Sequence, residues 1–107
     1  MSAGILLGLA IATEVLGTVF LRVSDGFTKV LPASVTVVAY VTSVILLAKV
    51  LKELDIGLTY AIWAGAGTAA VAVIGVAVWH EPMDALKVAS IAAVILGVVG
   101  LNVSGAH

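Results

Sequence analysis

The sequence predicts an all-α membrane protein with four transmembrane helices, and three observations lead there. Hydrophobic residues make up 63% of the 107-residue chain and charged residues only 10%. A water-soluble domain needs roughly a quarter of its residues charged. Four apolar windows, residues 1–21, 30–48, 56–79 and 88–106, reach the roughly 20 residues that carry a helix across a hydrocarbon core of about 30 Å. The windows are continuously apolar rather than alternating, and lipid offers no partner for backbone amides, so helices are favoured over barrel strands.

The elements follow in order. The first span, residues 3–21, holds a single charge, Glu14. No Lys or Arg precedes its apolar run and an acid lies inside it, so it is expected to stay as a helix rather than be cleaved as a signal peptide. Arg22 to Lys29 forms the first connection, with Gly26 for the turn. The second span, residues 30–51, carries Pro32 in its first turn, where a missing N–H does little harm. Lys49, Lys52, Glu53 and Asp55 mark the second connection. The third span, residues 56–79, is free of charge throughout. His80-Glu81-Pro82-Met83-Asp84 leads to the fourth, residues 86–105. The loop acids Glu53, Glu81 and Asp84 are expected to be solvated. Short connections make consecutive helices antiparallel neighbours, within one domain spanning residues 1–107.

Composition also excludes functions. A net charge of −1 provides no basic stripe for nucleic acid. With no Cys there is no disulfide framework, thiolate metal site or thiol nucleophile. GxxxxGK, GxGxxG and HExxH are absent, and His80 and His107 are too far apart in sequence to argue for a metal site. Neither an enzyme nor a cofactor is expected. Four spans place both termini and the second connection on one side, with Lys49 and Lys52, against Arg22, Lys29 and Lys87 on the other. So small a bias gives weak topological instruction and is compatible with insertion in both orientations.

Glu14 is the candidate functional residue. It lies near mid-membrane, where an acid costs on the order of 3 kcal/mol. No Lys, Arg or His sits at similar depth in another window, so the carboxyl either stays protonated or ionises beside a cation from outside. A site alternating between those outcomes exchanges a proton for a cation. The alternative is a permanently neutral Glu hydrogen-bonded across helices. Leu7, Ala10, Ile11, Gly17, Thr18 and Leu21 share the Glu14 face by helical spacing. Ala10, Gly17 and Thr18 are small enough for close approach. Tyr40 is also near the midplane, and Tyr60 and Trp63 share one face of the third span. Rings beside a carboxylate suit a hydrophobic cation. Trp79, at a span end, reads as an interface residue. Gly65 and Gly67 allow a bend or close packing. Ser90, Ala93, Gly97 and Gly100 form a small-residue seam on the fourth span. Four helices enclose little volume, so a dimer sharing one site is the natural inference.

These residues resemble the small multidrug resistance family of bacterial and archaeal transporters. The resemblance runs through Ala10-x-x-x-Glu14-Val15-x-Gly17-Thr18, Ser24-x-Gly26-Phe27-Thr28 and Tyr60-Ala61-Ile62-Trp63-Ala64-Gly65-x-Gly67, with Gly97 and Asn102 in the last span. It implies an antiparallel homodimer in the cell membrane, exchanging protons for a cationic small molecule at Glu14. It also implies that Trp63, Tyr60 and Tyr40 line the pocket, that Ala10, Ser43 and Thr18 shape it, that Gly65 and Gly67 support a kink, and that the fourth span holds the dimer. Ala10 and the Val15-x-Gly17-Thr18 run resemble the branch exporting quaternary ammonium compounds. The guanidinium-exporting branch usually has Gly in place of Ala10 and an aromatic just after the Glu. Ala64 departs from a common Ser and Ser90 from a common Gly. The rivals are a guanidinium-type exporter, a rotary-ring subunit, a passive pore and a non-transporting accessory subunit.

Overall fold

A computed structural model describes residues 2–105 and contains four helices: α1 (Ala3–Val23), α2 (Val30–Val50), α3 (Ile56–Trp79) and α4 (Ala85–Gly105). All four are long and apolar enough to cross a membrane. The 24 residues of α3 correspond to about 36 Å of helix. His107 lies outside the described residues.

Local chemistry sets the helix ends. Ser2 caps α1, its hydroxyl accepting from the Ile5 N–H (3.2 Å). α1 runs to Val23, two residues past the apolar window, because the fully buried Ser24 stops it there. The Ser24 hydroxyl donates to the Leu21 carbonyl (2.6 Å) and accepts from the Phe27 N–H (3.0 Å). Its own carbonyl accepts from the Thr28 and Lys29 amides. This holds Asp25, Gly26 and Phe27 in the left-handed region, with φ of 51°, 71° and 68°. Only Gly26 adopts that conformation without a steric penalty. α3 ends on His80, also left-handed at φ 54°, which folds the next residue back onto the helix. The exposed Asp84 carboxylate accepts from the Lys87 N–H (2.8 Å), satisfying a first-turn amide of α4.

α1 packs on α2 through small residues. Ala10 and Gly17 on α1 and Ala33, Thr36, Ala39 and Ser43 on α2 are all buried. Two hydroxyls cross this seam to α1 carbonyls: Thr36 to Gly17 (2.9 Å) and Ser43 to Ala10 (2.6 Å). Such bonds are each worth about 0.6–2 kcal/mol in a membrane. The larger apolar residues gather at one end, where Leu7, Val50 and Ile62 pack with Leu6, Ile11, Leu47, Leu54 and Leu58. This core closes the gap between α1 and α3 near the start of α1. Toward the other ends of α1 and α3, the gap stays open.

α4 is different. It packs on α3 through Lys87, Ile91, Val94 and Val98, which are half-buried, while none of its described residues is fully buried. Gly65 allows this contact, since a Cβ there would lie 2.7 Å from the Val98 Cγ2. Ser90, Ala93, Gly97 and Gly100 are exposed, about a third of a turn away from the α3 contact.

Candidate functional site

Glu14 lies in the open gap. Its carboxylate rests against α3 at Gly67, where an added Cβ would sit 2.7 Å from Oε2. The buried Gly67 is therefore a notch into which the acid fits. On the other side the Thr18 hydroxyl, one turn along α1, donates to Glu14 Oε1 (3.0 Å). The Thr18 oxygen also pairs with the Tyr40 hydroxyl (2.7 Å), so the chain of contacts runs from α2 through α1 to the carboxylate. Tyr40 reaches Thr18 because Gly17 has no side chain: a Cβ there would meet the Tyr40 ring at 2.6 Å. Thr18 has one proton, so donating to Glu14 makes Tyr40 the donor to Thr18.

Trp63 is fixed from behind. Its indole N–H donates to the buried Ser43 hydroxyl (3.2 Å), which donates in turn to the Ala10 carbonyl. One ring face is left toward the gap. The Tyr60 ring leans on Trp63 with centroids 5.7 Å apart and an interplanar angle of 46°.

The gap is a cleft of about 530 Å³, lined near Glu14 by Thr18, Trp63, Ala64 and Gly67, and further along by Thr68, Val71 and Ala72. Glu14, Trp63 and Thr18 thus share one cavity. Tyr40, Ser43 and Ala10 stand behind them and hold them in place. Tyr60 is outside the lining and 63% exposed in the single chain. Gly65 and Gly67 are both points of close approach within an unbroken α3, one toward α4 and one toward Glu14.

Two cleft residues escaped the sequence reading. Glu81, expected to be solvated, is half-buried and lines the far end of the cleft together with Lys87. The cause is the left-handed His80, which turns the chain so that the Glu81 N–H donates to the Gly75 carbonyl (3.2 Å) and its carboxylate packs against Gly75. Nothing in the local sequence besides Gly75 hinted at this. Lys87 shares the cleft with Glu14, yet its ammonium donates to the Pro82 carbonyl (3.0 Å). Trp79, at the end of α3, is half-buried, and the Arg22 guanidinium lies over its ring, 4.9 Å from the centroid. Among the described residues, no Lys, Arg or His forms an ion pair with Glu14.

Four membrane-length helices, with a cleft between α1 and α3 that holds an acid and an indole, define a small multi-pass membrane protein. The sequence model of the family described as Small Multidrug Resistance protein matches residues 3–94. Quaternary ammonium compound-resistance protein QacC of Staphylococcus aureus is 37% identical over 97 residues, covering 91% of each chain. Nicotine metabolites export pump subunit NepA of Paenarthrobacter nicotinovorans is 46% identical over 97 residues, 91% of this chain and 84% of its own. A guanidinium exporter of Escherichia coli (strain K12) is 36% identical over 100 residues, covering 94% and 95%. The chain belongs to the small multidrug resistance family: it is a multi-pass transporter of the cell membrane, not an enzyme.

Proposed function

We propose that the protein is a proton-coupled antiporter that exports hydrophobic and aromatic cations, quaternary ammonium compounds among them, with proton and substrate competing for Glu14. The observation that carries this reading is the unpaired state of Glu14 within the cleft. Its partners from the chain are one hydroxyl donor and a glycine notch, and it faces the cavity that Trp63 also lines. A cation entering there gains the carboxylate charge and the indole face together, the combination that holds quaternary ammonium groups. A proton satisfies the same oxygen instead, so the two exclude each other.

Trp63 supplies the aromatic wall, with Tyr60 leaning on its ring from outside the cleft, and Thr18 and Tyr40 hold the acid in register. Ser43 and Ala10 keep the indole oriented. A cleft of about 530 Å³ lies within the size range of drug-sized ligand sites, far above the needs of a guanidinium ion. A guanidinium-type substrate is the second reading, favoured by the relative of that name.

The transporter works as an antiparallel homodimer. The support is α4, which presents Ser90, Ala93, Gly97 and Gly100 away from its own chain, with open space around Gly97 and Gly100. Small residues let a second helix approach closely where lipid would otherwise lie. The near-balanced loop charges leave both insertion orientations open.

Purified protein in liposomes, given an outward-directed proton gradient and ethidium, tests the mechanism. Wild-type chains are expected to move ethidium against the proton flow, and Glu14→Gln, nearly isosteric but without charge, to abolish it. Wild-type ethidium transport by Glu14→Gln rejects the mechanism. Proton flux driven by guanidinium but not by ethidium selects the second reading.

A further inference from the structure

The cleft has a second acid-and-indole pair at its far end. Glu14 seats at Gly67 and Glu81 seats at Gly75, both on α3. Eight residues separate the two seats, about 12 Å along the helix. On α1, Glu14 and Arg22 are separated by the same eight residues, so Arg22 comes level with Glu81. Each acid has a tryptophan beside it in its cavity: Trp63 with Glu14, and Trp79 with Glu81. A recess lined by Arg22, Gly75, Trp79 and Glu81 adjoins the main cleft, and Thr18 and Glu81 line both.

The indole of this outer pair already carries a cation. The Arg22 guanidinium covers the Trp79 ring at 4.9 Å. It makes no ion pair with Glu81 among the described residues, and no hydrogen bond fixes the Glu81 carboxylate. A planar cation lying on an indole beside a carboxylate is the chemistry of an aromatic cation in such a site, supplied here by the chain itself.

We propose that Glu81 and Trp79 form an outer cation subsite on the route to Glu14, occupied by Arg22 until an aromatic or quaternary cation displaces it. This rests on the Glu14 reading and adds to it the residues that admit and select the substrate. Among the residues lining this end, Arg22 and Lys87 bring two positive charges against the one negative charge of Glu81, and the exposed Asp84 carboxylate lies outside the lining at the Lys87 amide. Removing Glu81 leaves the mouth repelling cations; removing Arg22 frees the indole face.

The two changes therefore act in opposite directions. With purified full-length protein in liposomes and ethidium as probe, Glu81→Gln is expected to raise the KM about fivefold and Arg22→Gln to lower it about fivefold. Trp79→Leu is expected to raise it by a similar factor for ethidium and by less for tetramethylammonium, which has no ring to stack. Glu81→Asp should recover part of the loss. Damage to the fold would weaken both charge variants, so the opposed signs identify competition for one site. An unaltered KM in Glu81→Gln, or a KM raised in Arg22→Gln, overturns the proposal. If Glu81→Gln yields no folded protein, the Arg22→Gln result decides alone. Glu14→Gln is measured alongside: its silence with an unaltered Glu81→Gln sinks only the outer subsite, whereas its normal transport sinks the Glu14 reading itself.

Discussion

Three glycines of α3 invite the same substitution and should answer it differently. Helix propensity alone makes each Gly→Ala change stabilising by about 0.5–1 kcal/mol. At Gly57 nothing lies within 4 Å of the new Cβ, so that gain should be kept. At Gly65 the Cβ falls 2.7 Å from the Val98 Cγ2, and the α3–α4 contact must open by several tenths of an ångström. Overpacking of this kind costs about 1–3 kcal/mol and outweighs the propensity gain. At Gly67 the obstacle is Glu14 Oε2 at 2.7 Å, the end of a flexible side chain. The fold yields cheaply there, but the carboxylate must leave its notch and lengthen its 3.0 Å bond to Thr18. With the acid displaced from its position beside Trp63 in the cleft, Gly67→Ala should weaken cation binding by about tenfold. Ethidium binding by fluorescence titration, paired with thermal unfolding in detergent, separates the three: Gly57→Ala alters neither function nor fold for the worse, Gly65→Ala lowers the unfolding temperature, and Gly67→Ala loses affinity at nearly normal stability. Wild-type affinity in Gly67→Ala would refute the view that this glycine exists to seat the acid.

The other predictions test the remaining contacts. Ethidium affinity should fall on acidification, because a proton and the cation compete for one oxygen; log Kd should rise by about one per pH unit for each proton displaced and level off on the alkaline side. A Kd independent of pH contradicts competition. Ser43→Ala removes the donor to Ala10 and the acceptor for Trp63, and should cost about 1–2 kcal/mol in unfolding experiments, with several-fold weaker ethidium binding as the indole loses its orientation. Ser24→Ala should destabilise by about 1–2 kcal/mol and leave transport by the folded fraction intact, since its bonds hold the first loop rather than the cleft. Thr59→Val should be neutral or stabilising by up to about 1 kcal/mol, because the Thr59 hydroxyl is buried without a hydrogen-bond partner. A lower unfolding temperature for Thr59→Val would mean that the hydroxyl has a partner in the membrane.

What was legible in the sequence follows from the kind of signal each feature leaves along the chain. A run of apolar residues declares a membrane helix whatever packs against it, so the four helices could be placed with errors of one or two residues. Those errors occur where single side chains override hydropathy, as when Ser24 ends α1 after Arg22 and Val23 have joined it. Glu14 was legible because a carboxylate in an apolar span is anomalous in one dimension. Its seat at Gly67 was not, since glycines in α3 look alike until a neighbouring helix is present. Glu81 was hidden for the converse reason: in the sequence it is an ordinary loop acid. Only the left-handed backbone of His80 brings it onto Gly75 and into the cleft.

On the proposed reading, the same geometry lets the central acid release what it holds. A carboxylate offers roughly four lone-pair directions, and a buried one is normally satisfied on most of them. Among the described residues one direction on Glu14 is filled, through the Thr18 hydroxyl, which in turn accepts from Tyr40. Gly67 gives the acid room without giving it a bond. An Asn, a Lys or a second hydroxyl at that notch would complete the shell and fix the carboxylate in one state. A proton or a cation entering the cleft, on the proposed reading, takes the directions that the described residues leave unfilled. The Tyr40–Thr18 contacts would, on that same reading, distinguish the two: a protonated carboxyl is itself a donor and can reverse the direction of both hydrogen bonds, whereas a cation-paired carboxylate preserves them. If Glu14 exchanges a proton for a cation as proposed, this weak hold is what makes the exchange possible.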